Sequence, residues 1–375
     1  VGVVKALTAG ERVVRCLLGQ PVDRLPFGLG LGWYPWDETL ERWRTESNNP
    51  KLDVPRELGY EPGFALPSLE SGPFPHFAPE VLENTEDRVI TRDWRGITMR
   101  TYRGAQSMPE YLDYPVKGPA DWEKLKEARY RLDAASLDQR VTQDWTAFRL
   151  HLLESGEAVQ VGAFPWGIFG TLRDLMGVEE LLVAFYTEPD MVKDIMQHLT
   201  SLWLALWERV AAEVKIEHIH IWEDMSGRQG SLISPAMIEE FMMPCYDRIR
   251  AFAKAHGIPL ISVDSDGDCQ ELVPLMMRHG VNVFFPFEVQ AGNDIRMYRK
   301  NYPQLGIWGG LDKRVLALDI HAMDRELQKI PDMIKLGGGF LPQFDHLIPP
   351  DVPWVNFVYA ANRVRELCHH SLTQV

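Results

Sequence analysis

The chain has 375 residues, 45% apolar and 25% charged, the proportions of a folded protein with a large core. A formal net charge of −14 argues against a nucleic-acid backbone or an anionic membrane as partner, and suits a metal ion or a cationic protein patch better. Four scattered cysteines (Cys16, Cys245, Cys269, Cys368) make no CxxC pair and no disulfide framework, which fits a reducing cytosol.

Taken in order, the opening VGVVKALTAGERVV turns charged too soon for a signal peptide. Thr8 and Glu11 have capping-box spacing, and the helix they open should stop near Gly19. Residues 25–33 read as a first strand, ending in the aromatic cluster Trp33, Tyr34 and Trp36. From 37 to 150 the pattern is mixed, apart from an alternating run at 88–103 that predicts a hairpin around Arg95-Gly96. From 158 onward strand and helix alternate regularly. Strands are expected at 158–164, 216–222, 258–263, 281–287, 305–309 and 339–344. Between them lie two helical stretches over 178–214, broken near Glu188-Pro189, and a helix capped by Ser234 with Pro235 first. Another helix is expected from Cys269 to His279, and a last one over 352–369. The apolar stretch 199–214 carries Glu208, Arg209 and Glu213, so it is a buried helix and not a membrane span. A cytoplasmic location is the expectation.

Alternation at this spacing implies parallel strands joined by right-handed crossovers. With no Gly-rich phosphate fingerprint after the first strand, a closed TIM (β/α)8 barrel is favoured over a doubly wound sheet. The expected organisation is one domain over 1–375, elaborated over 1–150 and regular over 158–369.

Acidic residues recur just past the late strands. They are Glu223 and Asp224, then Asp264 and Asp266, then Glu288, then Asp312 beside Lys313, then Asp345 beside His346. In a barrel all of these face one mouth. Any one of them has an ordinary reading as a loop or helix-capping acid, and Asp268 reads that way first. Together they have the composition of an Asp/Glu/His metal site, zinc or another divalent ion, with Asp264, Glu288 and His346 as ligands and Asp266 or Glu223 as further donors. Asp345, Asp224 and Asp312 are candidates for general-acid help. His218 and His220 point the same way from one strand and read as barrel-wall residues. Trp33, Trp36, Trp166, Trp222 and Phe287 are core by default, yet at strand ends they would line an apolar substrate pocket. Arg228 either binds a substrate carboxylate or neutralises the acids.

The segments ERVVRCLLGQPVDRLPF, YPVKGPADWEKL, LISPAMIEEFMMPCYDRIRAFAKAHG and GGGFLPQFDHLIPPDVPWVNF together resemble the uroporphyrinogen decarboxylase-like superfamily, across nearly the whole chain. The resemblance implies a TIM barrel. True uroporphyrinogen decarboxylases carry an arginine-rich segment after the first strand for their polycarboxylate substrate, whereas here that region reads LGLGWYPW. The other branch holds zinc-dependent methyltransferases that work with corrinoid proteins. Their HxCG motif appears here as Asp264-Ser265-Asp266-Gly267, and their later cysteine falls at about Asp345-His346. Loss of both thiolates removes the electron-donating site that a thiol substrate needs; an O,N-ligated metal suits an oxygen leaving group. The expectation is methyl transfer from an O-methyl, methoxyaromatic donor to the corrinoid of a partner protein, with a homodimer left open. Two rivals stay open: a metal-free lyase or decarboxylase, and a non-catalytic protein that docks a corrinoid partner.

Overall fold

A computed structural model describes residues 6–104 and 108–370; the first five residues of the opening segment lie outside it. Among the described residues thirteen strands follow one another: β1 Phe64–Ala65, β2 Glu80–Asn84, β3 Arg88–Arg92, β4 Thr98–Tyr102, β5 Glu110–Asp113, β6 Ala158–Val161, β7 His218–Trp222, β8 Ser226–Gly227, β9 Gly230–Ser231, β10 Leu260–Asp264, β11 Val283–Phe285, β12 Gly306–Trp308 and β13 Phe340–Leu341. Seven of them make one parallel sheet in the order β1-β6-β7-β10-β11-β12-β13. Each expected late strand is present, shorter than its apolar run at one end or both.

Residues 25–33 are not a strand. Gly28 and Gly30 take positive φ (78° and 91°), which breaks the extended backbone, and Leu31–Trp33 is a single 3-10 turn. The segment nevertheless occupies the eighth place in the ring. Phe27 O accepts from Glu61 N on the side of β1, and Trp33 Nε1 donates to Pro342 O on the side of β13. Pro35 then forms a parallel bridge with Ile348. The result is an α/β barrel of the TIM type, closed at one seam by side chains and single hydrogen bonds. Inside the ring, Leu29, Leu260, Val283, Phe285, Trp308 and Leu341 pack with Val13 and Leu17 of the Ala9–Leu17 helix, which stoppers the barrel floor. That helix starts at Thr8 with the expected capping box.

The two helices Val178–Thr187 and Pro189–Ala211 break at Glu188, as the proline requires. Ser234 accepts from Met237 N at the head of the next helical stretch. Among the described residues no helix is long and apolar enough to cross a membrane. After β10 the helix is only Leu272–Arg278, and Asp268 caps a turn instead, accepting from Gln270 N at 2.9 Å.

The elaborated first third resolves into an antiparallel sheet, β2-β3-β4-β5. Its central hairpin, β3 with β4, is the one expected, turning through Asp93–Gly96 with Gly96 at φ 91°.

Candidate active site

β10 ends in Asp264, whose neighbours across the ladder are Trp222 of β7 and Phe285 of β11. Its carbonyl accepts from Glu223 N and Asp224 N, so the β7 and β10 loops leave the barrel together. Its carboxylate accepts no hydrogen bond among the described residues; His220 Nε2 stands 3.9 Å away. Burial, with Asp266 and Asp224 nearby, pushes the Asp264 carboxyl well above the usual carboxylate range. It therefore keeps its proton to higher pH than an ordinary aspartate.

The loop continues to Asp266, which meets His346 Nε2 at 3.0 Å across the mouth. Desolvation works against the imidazolium of His346, but the hydrogen bond to Asp266 and the charges of Asp266 and Asp345 together outweigh it and the net shift is upward. Gly267 sits at φ 75°, where a Cβ would lie 2.4 Å from Ser226 O. Its N–H donates to Glu288 Oε2 at 3.0 Å. A polar cavity of about 280 Å³ opens here, lined by Ser226, Arg228, Asp266 and Glu288 among others. On the other side of the acids lies a second cavity of about 250 Å³, lined by Trp222, Asp224, Phe164, Tyr111, Arg173 and Arg95 among others. Asp224, at φ 43°, pairs with Arg173; burial raises its carboxyl and Arg173 opposes the rise.

The structure thus brings together Asp264, Asp266, His346, Glu288, Asp224, Arg228 and Trp222. Other expected residues serve elsewhere. Glu223 is fully buried and accepts from Ile168, Phe169 and Gly170 N–H and from Tyr246 OH. Burial still pushes its carboxyl up to about 7. It anchors the Gly170–Met176 helix and has no lone pair turned to the mouth. Asp345 is fully buried and accepts from Val289 N and Lys313 N, tying three mouth loops together. Asp312 caps Lys313–Ala317 and is clasped by Arg314; desolvation is outweighed by that clasp and its carboxyl is lowered, the wrong direction for a general acid. Trp33 and Phe287 are core residues, Trp36 stands at the outer rim, and Trp166 packs against Trp94. His218 and His220 share Ser262 Oγ, each at 2.7 Å, and desolvation lowers His220 to about 4, so both are neutral wall residues.

The family model for uroporphyrinogen decarboxylase (URO-D) matches residues 89–367. The chain belongs to the URO-D family. A uroporphyrinogen decarboxylase of Syntrophotalea carbinolica is 22% identical over 267 residues, covering 70% of this chain and 72% of that protein. Among solved structures, a methyltransferase from Methanosarcina mazei aligns over 96% of this chain and 98% of its own, with a TM-score of 0.55 and 15% identity. At that identity the likeness carries the fold.

The mouth gathers acids and a histidine, the donor types a divalent metal takes. Among the described residues no three His, Cys, Asp or Glu side chains are grouped as a metal ion needs. Asp266 and His346 are bonded to each other, Glu288 is held by Gly267, and Glu223 is saturated. As arranged among the described residues they do not make a metal centre. Three residues escaped the sequence reading. Arg173 lies on a helix far from any acidic strand end. Tyr246 reads as a helix core position. Asn293, 2% exposed, donates to both Gly267 O and Glu288 O at 2.8 Å and so fixes the mouth, without any signal in its own neighbourhood.

Proposed function

We propose that this URO-D family protein is a methyltransferase that takes a methyl group from an aromatic O-methyl donor and delivers it to the reduced corrinoid of a partner protein. The observation that supports this reading is the juxtaposition at the end of β7 and β10. Asp264, a part-buried acid whose carboxylate has no hydrogen-bond partner among the described residues, stands next to Trp222 and Asp224, which line an aromatic cavity of about 250 Å³. That space suits one substituted benzene ring. It does not suit a four-ring macrocycle, and no arginine stands at 29–36 to hold many carboxylates.

In this reading the ring lies along Trp222 with the ether oxygen toward Asp264. The C–O bond breaks as the methyl carbon passes to the acceptor, the electron pair stays on oxygen, and Asp264 delivers its proton to the departing aryloxide. The pair Asp266–His346 holds the loop that carries Asp264 against the barrel rim.

Methylation of cob(I)alamin with methoxyaromatic donors tests the reading. Asp264→Asn keeps the shape and removes the acid, so kcat should fall at least about 100-fold with KM and melting temperature little changed. Wild-type turnover should survive chelation. Loss of turnover on chelation, restored by zinc, would move the role of Asp264 to a metal. Decarboxylation of a tetrapyrrole in place of methyl transfer would end the proposal.

A further inference from the structure

The antiparallel sheet β2–β5 has no part in the barrel, and its position gives it a use. The turn of its central hairpin carries Arg95, its last strand carries Tyr111, and Tyr114 follows at once; all three line the 250 Å³ cavity opposite Phe164, Trp222 and Arg173. The aromatic rings are set in two groups. Phe164 meets Trp222 edge to face at 4.9 Å, and Tyr111 stacks with Tyr114 at 6.4 Å. A planar ring entering between them is covered by π faces and edges on both sides.

The cavity's charges are ordered as well. Its two carboxylates are already held, Asp174 by Arg95 and Asp224 by Arg173. Arg95 is further bound to Asp93 at 2.8 Å. Arg173 is different. It engages Asp224 through Nη1 alone, and its Nε and Nη2 donate to nothing among the described residues, although the guanidinium lies 5.7 Å over the Trp222 ring and lines the cavity. An Nε–H/Nη2–H edge left open beside an aromatic slot is the two-donor fork that matches a carboxylate. Past Asp224, which Arg173 holds through Nη1, stand Asp266 and His346, whose charges Asp224 feels. An anionic substituent is repelled there, which leaves that end for the uncharged methoxy group.

We infer that the insertion sheet and Arg173 select the methyl donor, and that the donor is a one-ring aryl methyl ether bearing a carboxylate, the carboxylate on the free edge of Arg173 and the methoxy group toward Asp264. This rests on the methyl-transfer reading for the identity of the reacting group, but binding can be read without turnover. The test uses the full chain, with tryptophan fluorescence and calorimetry to follow 4-methoxybenzoate, its neutral methyl ester and 4-methoxyphenol. The carboxylate should bind at least about tenfold tighter than either neutral ligand. Arg173→Gln should erase that preference, bringing 4-methoxybenzoate to the affinity of its methyl ester. The ester comparison needs no variant, so the inference stays exposed even if Arg173→Gln folds poorly. Equal affinity for acid and ester, a preference that survives Arg173→Gln, or no binding of any of the three overturns it. Tight carboxylate binding without any cobalamin methylation sinks the methyl-transfer reading alone, and methylation from neutral donors with no carboxylate preference sinks this inference alone.

Discussion

Arg12 is 6% exposed at the base of the first helix, and Asp23 and Glu61 answer its charge at 2.7 Å and 3.1 Å. The hydrogen bond from Arg12 holds the Asp23 carboxyl at about 2, against an ordinary 3.8. A depressed carboxyl contributes stability that is present above its unfolded value and is lost as pH falls through the folded one. Asp23→Asn should therefore cost about 2 kcal/mol in urea unfolding at pH 7, and the gap to wild type should close between pH 4 and pH 2. A gap of constant size over that range would show that Asp23 acts through packing alone. The same residue-by-residue reading explains which acids at the mouth were legible in the sequence. Asp264 ends a strand and Asp266 lies two residues on, where it meets His346 across the mouth, so their position told that they belong to the mouth. Asp345 follows a strand too, four residues past the end of β13, but its acceptors are taken by N–H groups of Val289 and Lys313, 56 and 32 positions away along the chain. No local pattern carries that information.

Among the elements, the Gly170–Met176 helix shows how a buried acid can serve a site without entering it. Glu223 receives the N–H groups of Ile168, Phe169 and Gly170, an anion placed at a helix N-terminus, and Tyr246 supplies a fourth donor at 2.6 Å. Gly167 lets the chain pass, since a Cβ there would lie 1.6 Å from Trp222 O. Removing the carboxylate in Glu223→Ala leaves four buried donors unanswered and should cost about 3 kcal/mol or more, whereas Tyr246→Phe should cost only about 1 kcal/mol. Because this helix bears Arg173, Glu223→Ala should also weaken 4-methoxybenzoate binding, and Tyr246→Phe much less. Denaturant titrations of similar midpoint for the two variants would refute the anchoring role. Strands and helices of the second half were legible because a buried parallel strand is a continuous apolar run bounded by turn residues. Residues 25–33 are equally apolar and mislead for that reason: two glycines at positive φ decide the backbone there, and hydrophobicity does not report φ. The β2–β5 sheet was half legible, its hairpin clear and its edge strands too exposed to alternate.

At the scale of the whole molecule the ring depends on its seam. Six strand pairings are continuous ladders, while the passage from β13 back to β1 runs through the 25–33 segment with few backbone bonds. Close approach replaces the ladder. A Cβ on Gly32 would lie 1.8 Å from the Phe344 carbonyl oxygen, and one on Gly30 would lie 1.7 Å from Gln343 Oε1. At Gly30 a side chain can swing away; at Gly32 the obstacle is backbone, so the seam itself has to part. Gly32→Ala should then destabilise by about 3 kcal/mol or more, within the range of severe core overpacking. The seam borders the mouth, since His346 follows Phe344 by two residues, so loosening it should also disturb the Asp266–His346 contact and lower ligand affinity. Hydrogen exchange checks this directly. Amides of 31–36 and 340–348 should speed up together in Gly32→Ala, while those of the β3–β4 hairpin, which the seam does not touch, keep their wild-type rates. Uniform acceleration across both regions would mean that barrel and insertion sheet open as one unit, and that the seam is not where the fold gives way first.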